Sequence, residues 1–212
     1  HFALKHYLDY RPTHDVDAWW QSDISESTRQ ALLARLRAIL VEVAGEHGLA
    51  FRERRTGTEV VSLELREGHK AVFTLQIAAR TVELERPIGG GASPWSPIPI
   101  ETLADNVGAK MNALVNRGAP RDFVDIYTVV TSGIVTVGEC WDWWQRKNPT
   151  LNANLAKAQV IKHLESIELR RQSRHMPPAE REAAERLRRW FRETLARLVL
   201  DDDRQGDQEL DR

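Results

Sequence analysis

Arg11-Pro12-Thr13-His14-Asp15-Val16-Asp17 is the stretch on which the reading of this chain turns. Read as a strand, side chains two apart point to the same face, so Asp15 and Asp17 project together while Val16 turns into an apolar layer. Two convergent carboxylates repel unless a cation stands between them. Mg2+ takes one or two carboxylates and leaves its other positions to water and substrate phosphates, as phosphoryl and nucleotidyl transfer require. Taken alone, a D-x-D is also common on solvated loops and at helix caps.

The flanks give this strand a sheet to belong to. Phe2, Ala3, Tyr7 and Leu8 share a helical face, so residues 2–9 are predicted as a short helix leading through Arg11-Pro12 into a strand at 14–19 that ends at Trp19-Trp20. Asp23 or Ser25 can cap a long helix in which Leu32, Leu36, Ile39, Leu40 and Val43 recur at helical spacing up to Gly45 and Gly48. Four apolar segments follow, Phe51–Arg55, Glu59–Leu65, Ala71–Ala78 and Thr81–Glu85, with turn signals at Thr56-Gly57 and Glu67-Gly68-His69. A mixed sheet with helices packed on it buries this order of elements. Gly89-Gly90-Gly91-Ala92-Ser93-Pro94 lacks the lysine and helix start of a P-loop and is read as a flexible connection.

Beyond Pro99 the pattern is helical. Leu103, Val107, Met111 and Leu114 form one stripe, Gly118-Ala119-Pro120 breaks it, and Phe123, Ile126, Tyr127 and Val130 form the next. A third segment carries Cys140, Trp141, Trp143 and Trp144 as a cluster expected to pack the helical half against the sheet, with a base-stacking platform as the sharper alternative. Leu155–Leu169 and Ala179–Leu200 are predicted as two further helices. The second is dense in Arg and Glu at i, i+3 and i+4 spacing, the mark of a solvated face; its arginines could instead meet RNA phosphates.

Composition limits the function classes. At 212 residues and 42% hydrophobic, the chain can bury a real core, and 30 basic against 31 acidic residues leave no global basic field for nucleic acid. The one cysteine excludes an intramolecular disulfide framework and fits a reducing cytoplasm. No apolar run approaches the roughly 18 residues of a membrane span. The chain opens at His1 within an apolar-periodic segment, so residues are expected to precede it.

A second constellation gives the first its context. Lys110-Met111-Asn112-Ala113-Leu114-Val115-Asn116-Arg117 followed by Arg121-Asp122-Phe123-Val124-Asp125-Ile126 resembles the K-x2-A-L-x2-R-x3-R-D-(F/Y)-x-D-(I/L) block of the AbiEii/AbiGii-type nucleotidyltransferase toxins. Arg11 to Asp17 resembles that family's N-terminal R-x-(S/T)-x-D-(I/V)-D block, and the two stand in the family's order over about residues 1–146. Read without the family, Lys110, Ala113, Leu114 and Arg117 share a helical side, and Arg121 and Asp125 are spaced to pair one turn apart.

The resemblance implies an α+β fold: a polymerase-beta-like nucleotidyltransferase core with a mixed sheet and flanking helices over residues 1–100, a helical region over 101–200 that completes the site, and a mobile acidic tail at 201–212. It implies Mg2+-dependent transfer of a nucleotide from an NTP to an acceptor, tRNA or another RNA, as the toxin of a toxin–antitoxin or phage-defence module with a cognate antitoxin. Asp15, Asp17, Lys110 and Asp122 would be catalytic, with Asp15 and Asp17 holding the metal. Thr13, Lys110, Arg117 and Arg121 would contact the nucleotide, and Asp122 would act as base or as orienter of Lys110 and Arg121. Members carry Gly-Gly or Gly-Ser before the position of His1, and a third carboxylate aligns with Gln76 here, for which Glu64, Glu83 or Glu85 could substitute. The alternative this raises is a catalytically impaired nucleotide-binding or protein-interaction module; a helical RNA-binding protein is a third reading.

Overall fold

A short helix, α1 (Leu4–Tyr7), leads to the carboxylate strand, β1 (Asp15–Trp20). The long helix α2 (Glu26–His47) follows, then β2 (Ala50–Thr56), β3 (Val60–Glu67) and β4 (Lys70–Ala79). These coordinates are a computed structural model describing residues 4–9, 13–21, 23–57, 60–79, 82–89, 93, 96–172 and 175–197. They form two compact units that divide between Leu103 and Ala104.

In the first unit one sheet runs in the order β1-β4-β3-β2, with β1 parallel to β4 and the other neighbours antiparallel. This is the expected mixed sheet. Its two faces differ because the strands alternate. Trp20, Val61, Leu63, Leu65 and Ile77 line the apolar face and are buried with Leu33, Leu40 and Ala44 of α2. The side chain of Ser25 caps α2 by accepting from the Thr28 N–H at 3.1 Å.

Two details depart from the sequence pattern. The buried stripe of α2 runs through Leu33, Leu40 and Ala44, whereas Leu32 and Ile39 remain over 40% exposed. The sequence offers apolar neighbours at both positions, Leu32-Leu33 and Ile39-Leu40-Val41, so spacing alone leaves the inward face undecided by one residue. The strand expected at Thr81–Glu85 is also absent over the described residues 82–85. Val82-Glu83-Leu84-Glu85 alternates as a strand would, but the strand it follows, β4, is already paired on both sides by β1 and β3, so the segment cannot continue the meander beside it. Only an isolated bridge, Ile88 to Ile100, follows it. Gly90, Gly91 and Ala92 of the glycine-rich loop and the whole 201–212 tail lie outside the described residues.

The second unit is helical: α3 (Leu103–Asn116, reaching one residue back across the division), α4 (Pro120–Thr131), α5 (Val137–Lys147), α6 (Ala153–Arg170) and α7 (Pro178–Trp190), which runs into a π-helical turn at Phe191–Leu195. Val107, Met111, Leu114, Phe123, Ile126, Val129, Val160 and Leu164 are buried at its centre. Phe123 meets Phe191 edge to face at 4.8 Å. Trp144 is fully buried, and the indole N–H of Trp141 donates to the Leu195 carbonyl at 2.8 Å, so these two tryptophans belong to this unit's own packing. Burial pushes the Cys140 thiol up to about 12, leaving it protonated and inert as a nucleophile.

The solvated face expected of the C-terminal helix holds in part. Arg186 is exposed, but Arg188 is buried; its guanidinium donates to the Arg171 carbonyl at 2.9 Å, and it shares Glu168 with Arg192. Arg188, Arg189 and Arg192 edge a groove of about 700 Å3 whose other charged lining is Glu168, Glu185 and Glu193. Arginine and glutamate are balanced there, which disfavours a polyanion. Among the described residues no helix is long and apolar enough to cross a membrane.

Candidate active site

Asp15 and Asp17 stand on the face of β1 opposite the apolar layer. Asp17 is exposed, Asp15 half-buried, and Val16 lies between them on the other side. The parallel register sets Asp15 beside Thr74 and Asp17 beside Gln76 on β4. Neighbouring strands are about 4.8 Å apart, so the Gln76 amide is the closest strand neighbour of the Asp17 carboxylate on that face. The entry to β1 is fixed by Thr13. Its hydroxyl donates to the Asp15 carbonyl at 3.0 Å and accepts from the Asp15 N–H at 3.3 Å, so the residue expected to touch the nucleotide clasps the backbone of the first carboxylate.

The same face continues onto β3, where Glu64 pairs across from Thr74. That makes Glu64 the only one of the three substitute acids that shares the sheet face with Asp15, two strand spacings or about 9–10 Å away. It is not available as it stands. Glu64 is 2% exposed, accepts from Arg66 at 2.7 Å and from Arg54 at 3.4 Å, and the Arg66 hydrogen bond holds its carboxyl below the ordinary value. Glu83 and Glu85 lie in the irregular segment after β4.

Two hard carboxylates on one open strand face suit Mg2+, which needs no more than one or two from the protein. Among the described residues no group of three or more His, Cys, Asp or Glu side chains converges as a metal cage.

In the second unit, the K-x2-A-L-x2-R and R-D-F-x-D blocks form the α3–α4 hairpin. Gly118 makes the turn possible: its φ is +52°, and a Cβ there would lie 2.4 Å from His163. Pro120 then opens α4 at its first turn, where a missing N–H costs nothing. Across this hairpin Lys110 meets Asp125 at 2.9 Å, and Arg117 grips Asp122 with two hydrogen bonds of 2.8 and 2.9 Å. Asp122 also accepts from the Ala119 N–H at 3.2 Å, closing the start of α4.

Asp122, for which the family resemblance implies a base or an orienter of Lys110 and Arg121, pairs with Arg117, and Lys110 is held by Asp125. Both carboxylates are fully buried, while the Arg117 side chain is half exposed and the Lys110 side chain 15% exposed. Each cation is thus fixed by a buried acid. Arg121 is exposed on the outer side of α4.

A third pair of this kind escaped the sequence reading. Asp105, with no exposed surface, receives the Lys147 ammonium at 2.7 Å. The partners are 42 positions apart, and nothing local distinguishes Asp105 from a first-turn helix acid. The signal available was an acid next to Leu103-Ala104 and Val107 on the helical stripe, a position that needs a cation once buried.

The chain matches no curated protein and no solved structure. The family model described as "Nucleotidyl transferase AbiEii toxin, Type IV TA system" matches residues 2–205, and so spans both units. The chain belongs to the AbiEii family of nucleotidyl transferase toxins of type IV toxin–antitoxin systems.

Proposed function

We propose that this chain transfers a nucleotide from an NTP to a hydroxyl of an RNA acceptor, tRNA being the leading candidate, in a Mg2+-dependent reaction restrained in the cell by a cognate antitoxin. The observation that carries the reading is the pair Asp15 and Asp17, side by side on the open face of β1 in a member of a nucleotidyl transferase family. Asp15 and Asp17 would hold the cation, which when bound neutralises the phosphates and orients them for in-line displacement. Lys110, Arg117 and Arg121 would stabilise negative charge on the triphosphate, with Asp125 and Asp122 positioning the first two. In the transfer, the acceptor oxygen bonds to the α-phosphorus as its hydroxyl proton passes to solvent water, the bridge to the β-phosphate breaks, and pyrophosphate leaves with its electron pair. The buried, doubly bonded Asp122 supports a positioning role over that of proton acceptor. A phage-defence role and action in the cytoplasm follow from an RNA target and an antitoxin partner.

Gln76 favours a second reading. It stands beside Asp17 where a carboxylate would be expected, and an amide cannot take the acceptor proton. On that reading the chain binds NTP without turnover.

Purified protein incubated with Mg2+, each α-labelled NTP and total tRNA separates the two. Transfer of label to RNA is expected with the wild-type chain, and a loss of at least about 100-fold in Asp15→Ala. Transfer that persists in that variant removes the proposed site. Absence of transfer with all four NTPs favours binding without turnover.

A further inference from the structure

The face of β1 that carries Asp15 and Asp17 ends in a tryptophan. By the two-residue period Trp19 projects with the carboxylates, whereas Trp20 turns into the apolar core. Trp19 keeps 38% of its surface exposed and Trp20 only 9%. A lone exposed aromatic would need no explanation. Its place among its neighbours is what calls for one.

The register arranges this face in three rows across β1, β4 and β3. Asp15, Thr74 and Glu64 form the first, Asp17, Gln76 and Ser62 the second, and Trp19, Ala78 and Val60 the third. Two rows are polar and carry every acid of the face; the third is wholly apolar. The change falls between Asp17 and Trp19, about 6.6 Å along the strand. A nucleotide has the same polarity over a similar span: anionic phosphates at one end, a hydroxylated ribose, then a flat base whose faces are apolar. Ala78, directly across from Trp19, is small and buried, so the row presents the ring of Trp19 at the sheet edge as its broad exposed apolar surface.

We propose that Trp19 is the platform on which the base of the bound NTP stacks, with its phosphates toward Asp15 and Asp17. This rests on the reading of those two carboxylates as the phosphate end of the site. Stacking on an indole tolerates any base because each has a π-face, and removal of one such platform weakens binding about 5- to 150-fold. Trp19 then supplies affinity for the nucleoside half of the substrate and none for the triphosphate.

Binding measured by calorimetry in the presence of Mg2+, with ATP, GTP, CTP and UTP and with inorganic tripolyphosphate as the probe that lacks a base, tests this in the full chain, Trp19→Ala and Trp19→Phe. The expected result is NTP binding weakened about 5- to 150-fold in Trp19→Ala, largely restored in Trp19→Phe, with tripolyphosphate bound equally by all three. Equal NTP affinity in wild type and Trp19→Ala overturns the platform and leaves the carboxylate site standing. Equal weakening of NTP and tripolyphosphate in Trp19→Ala also overturns it, since that is what a disturbed strand would give. NTP and tripolyphosphate binding unaffected by Asp15→Ala, or absent from the wild-type chain, removes the phosphate site and the platform with it.

Discussion

Glu64 illustrates how one residue's surroundings decide what it can do. On the sheet face it is the acid nearest in row to Asp15, yet Arg66 and Arg54 hold both its oxygens and its carboxyl stays below the ordinary value of 4.5. Below that value the unfolded chain takes up the proton before the folded one. Stability contributed by Glu64 is therefore present above the unfolded pKa and lost as pH falls through the folded pKa. Glu64→Gln should cost about 1–3 kcal/mol at pH 7, and its urea midpoint should fall less steeply than that of wild type from about pH 5 to 3. Parallel acid limbs in the two proteins would contradict this. The sequence makes Asp15, Asp17 and Gln76 legible because a strand's period of two is short and rigid. It cannot reveal that Lys110 belongs to Asp125 or Lys147 to Asp105, since such pairs depend on how helices pack and several partners satisfy the same spacing.

At the scale of elements, the α3–α4 hairpin is where sequence and structure agree most closely. Gly118-Ala119-Pro120 announces a helix end, a turn and a helix start, and all three occur. The unannounced part is the approach of His163, whose ring nitrogen is 3.0 Å from the Val115 carbonyl and cannot easily retreat. Gly118→Ala should therefore cost about 2–4 kcal/mol, positive-φ strain plus the clash, against about 1 kcal/mol for Gly133→Ala. Gly133 also has positive φ, at +78°, but open space around it. Equal losses in thermal unfolding would show that the His163 contact contributes nothing. The misread segment 82–85 teaches the converse: alternation describes what a segment could do in a sheet, while the free edge that would accept it is a property of the completed topology.

For the whole molecule, the family match across residues 2–205 spans a sheet unit that carries the paired carboxylates and a helical unit that carries the buried acid–cation pairs. A net charge of -1 and the balanced arginines of the C-terminal groove leave local chemistry, and no global field, to recognise an anionic substrate. The order of elements was legible because each half has its own period, two in the strands and 3.6 in the helices. The pairing of buried charges was not, because it is fixed only when those helices pack. In the proposed function the Asp15 and Asp17 side chains themselves hold the divalent cation during nucleotide transfer. Replacing one ligand by a softer one distinguishes direct ligation from a structural role, since thiolate favours Mn2+ or Cd2+ over Mg2+. RNA labelling by Asp17→Cys should be lost in Mg2+ and return in Mn2+ or Cd2+, while Asp17→Ala stays inactive in every metal. Asp17→Cys and Asp17→Ala behaving alike across all the metals, or both retaining wild-type transfer in Mg2+, would contradict it.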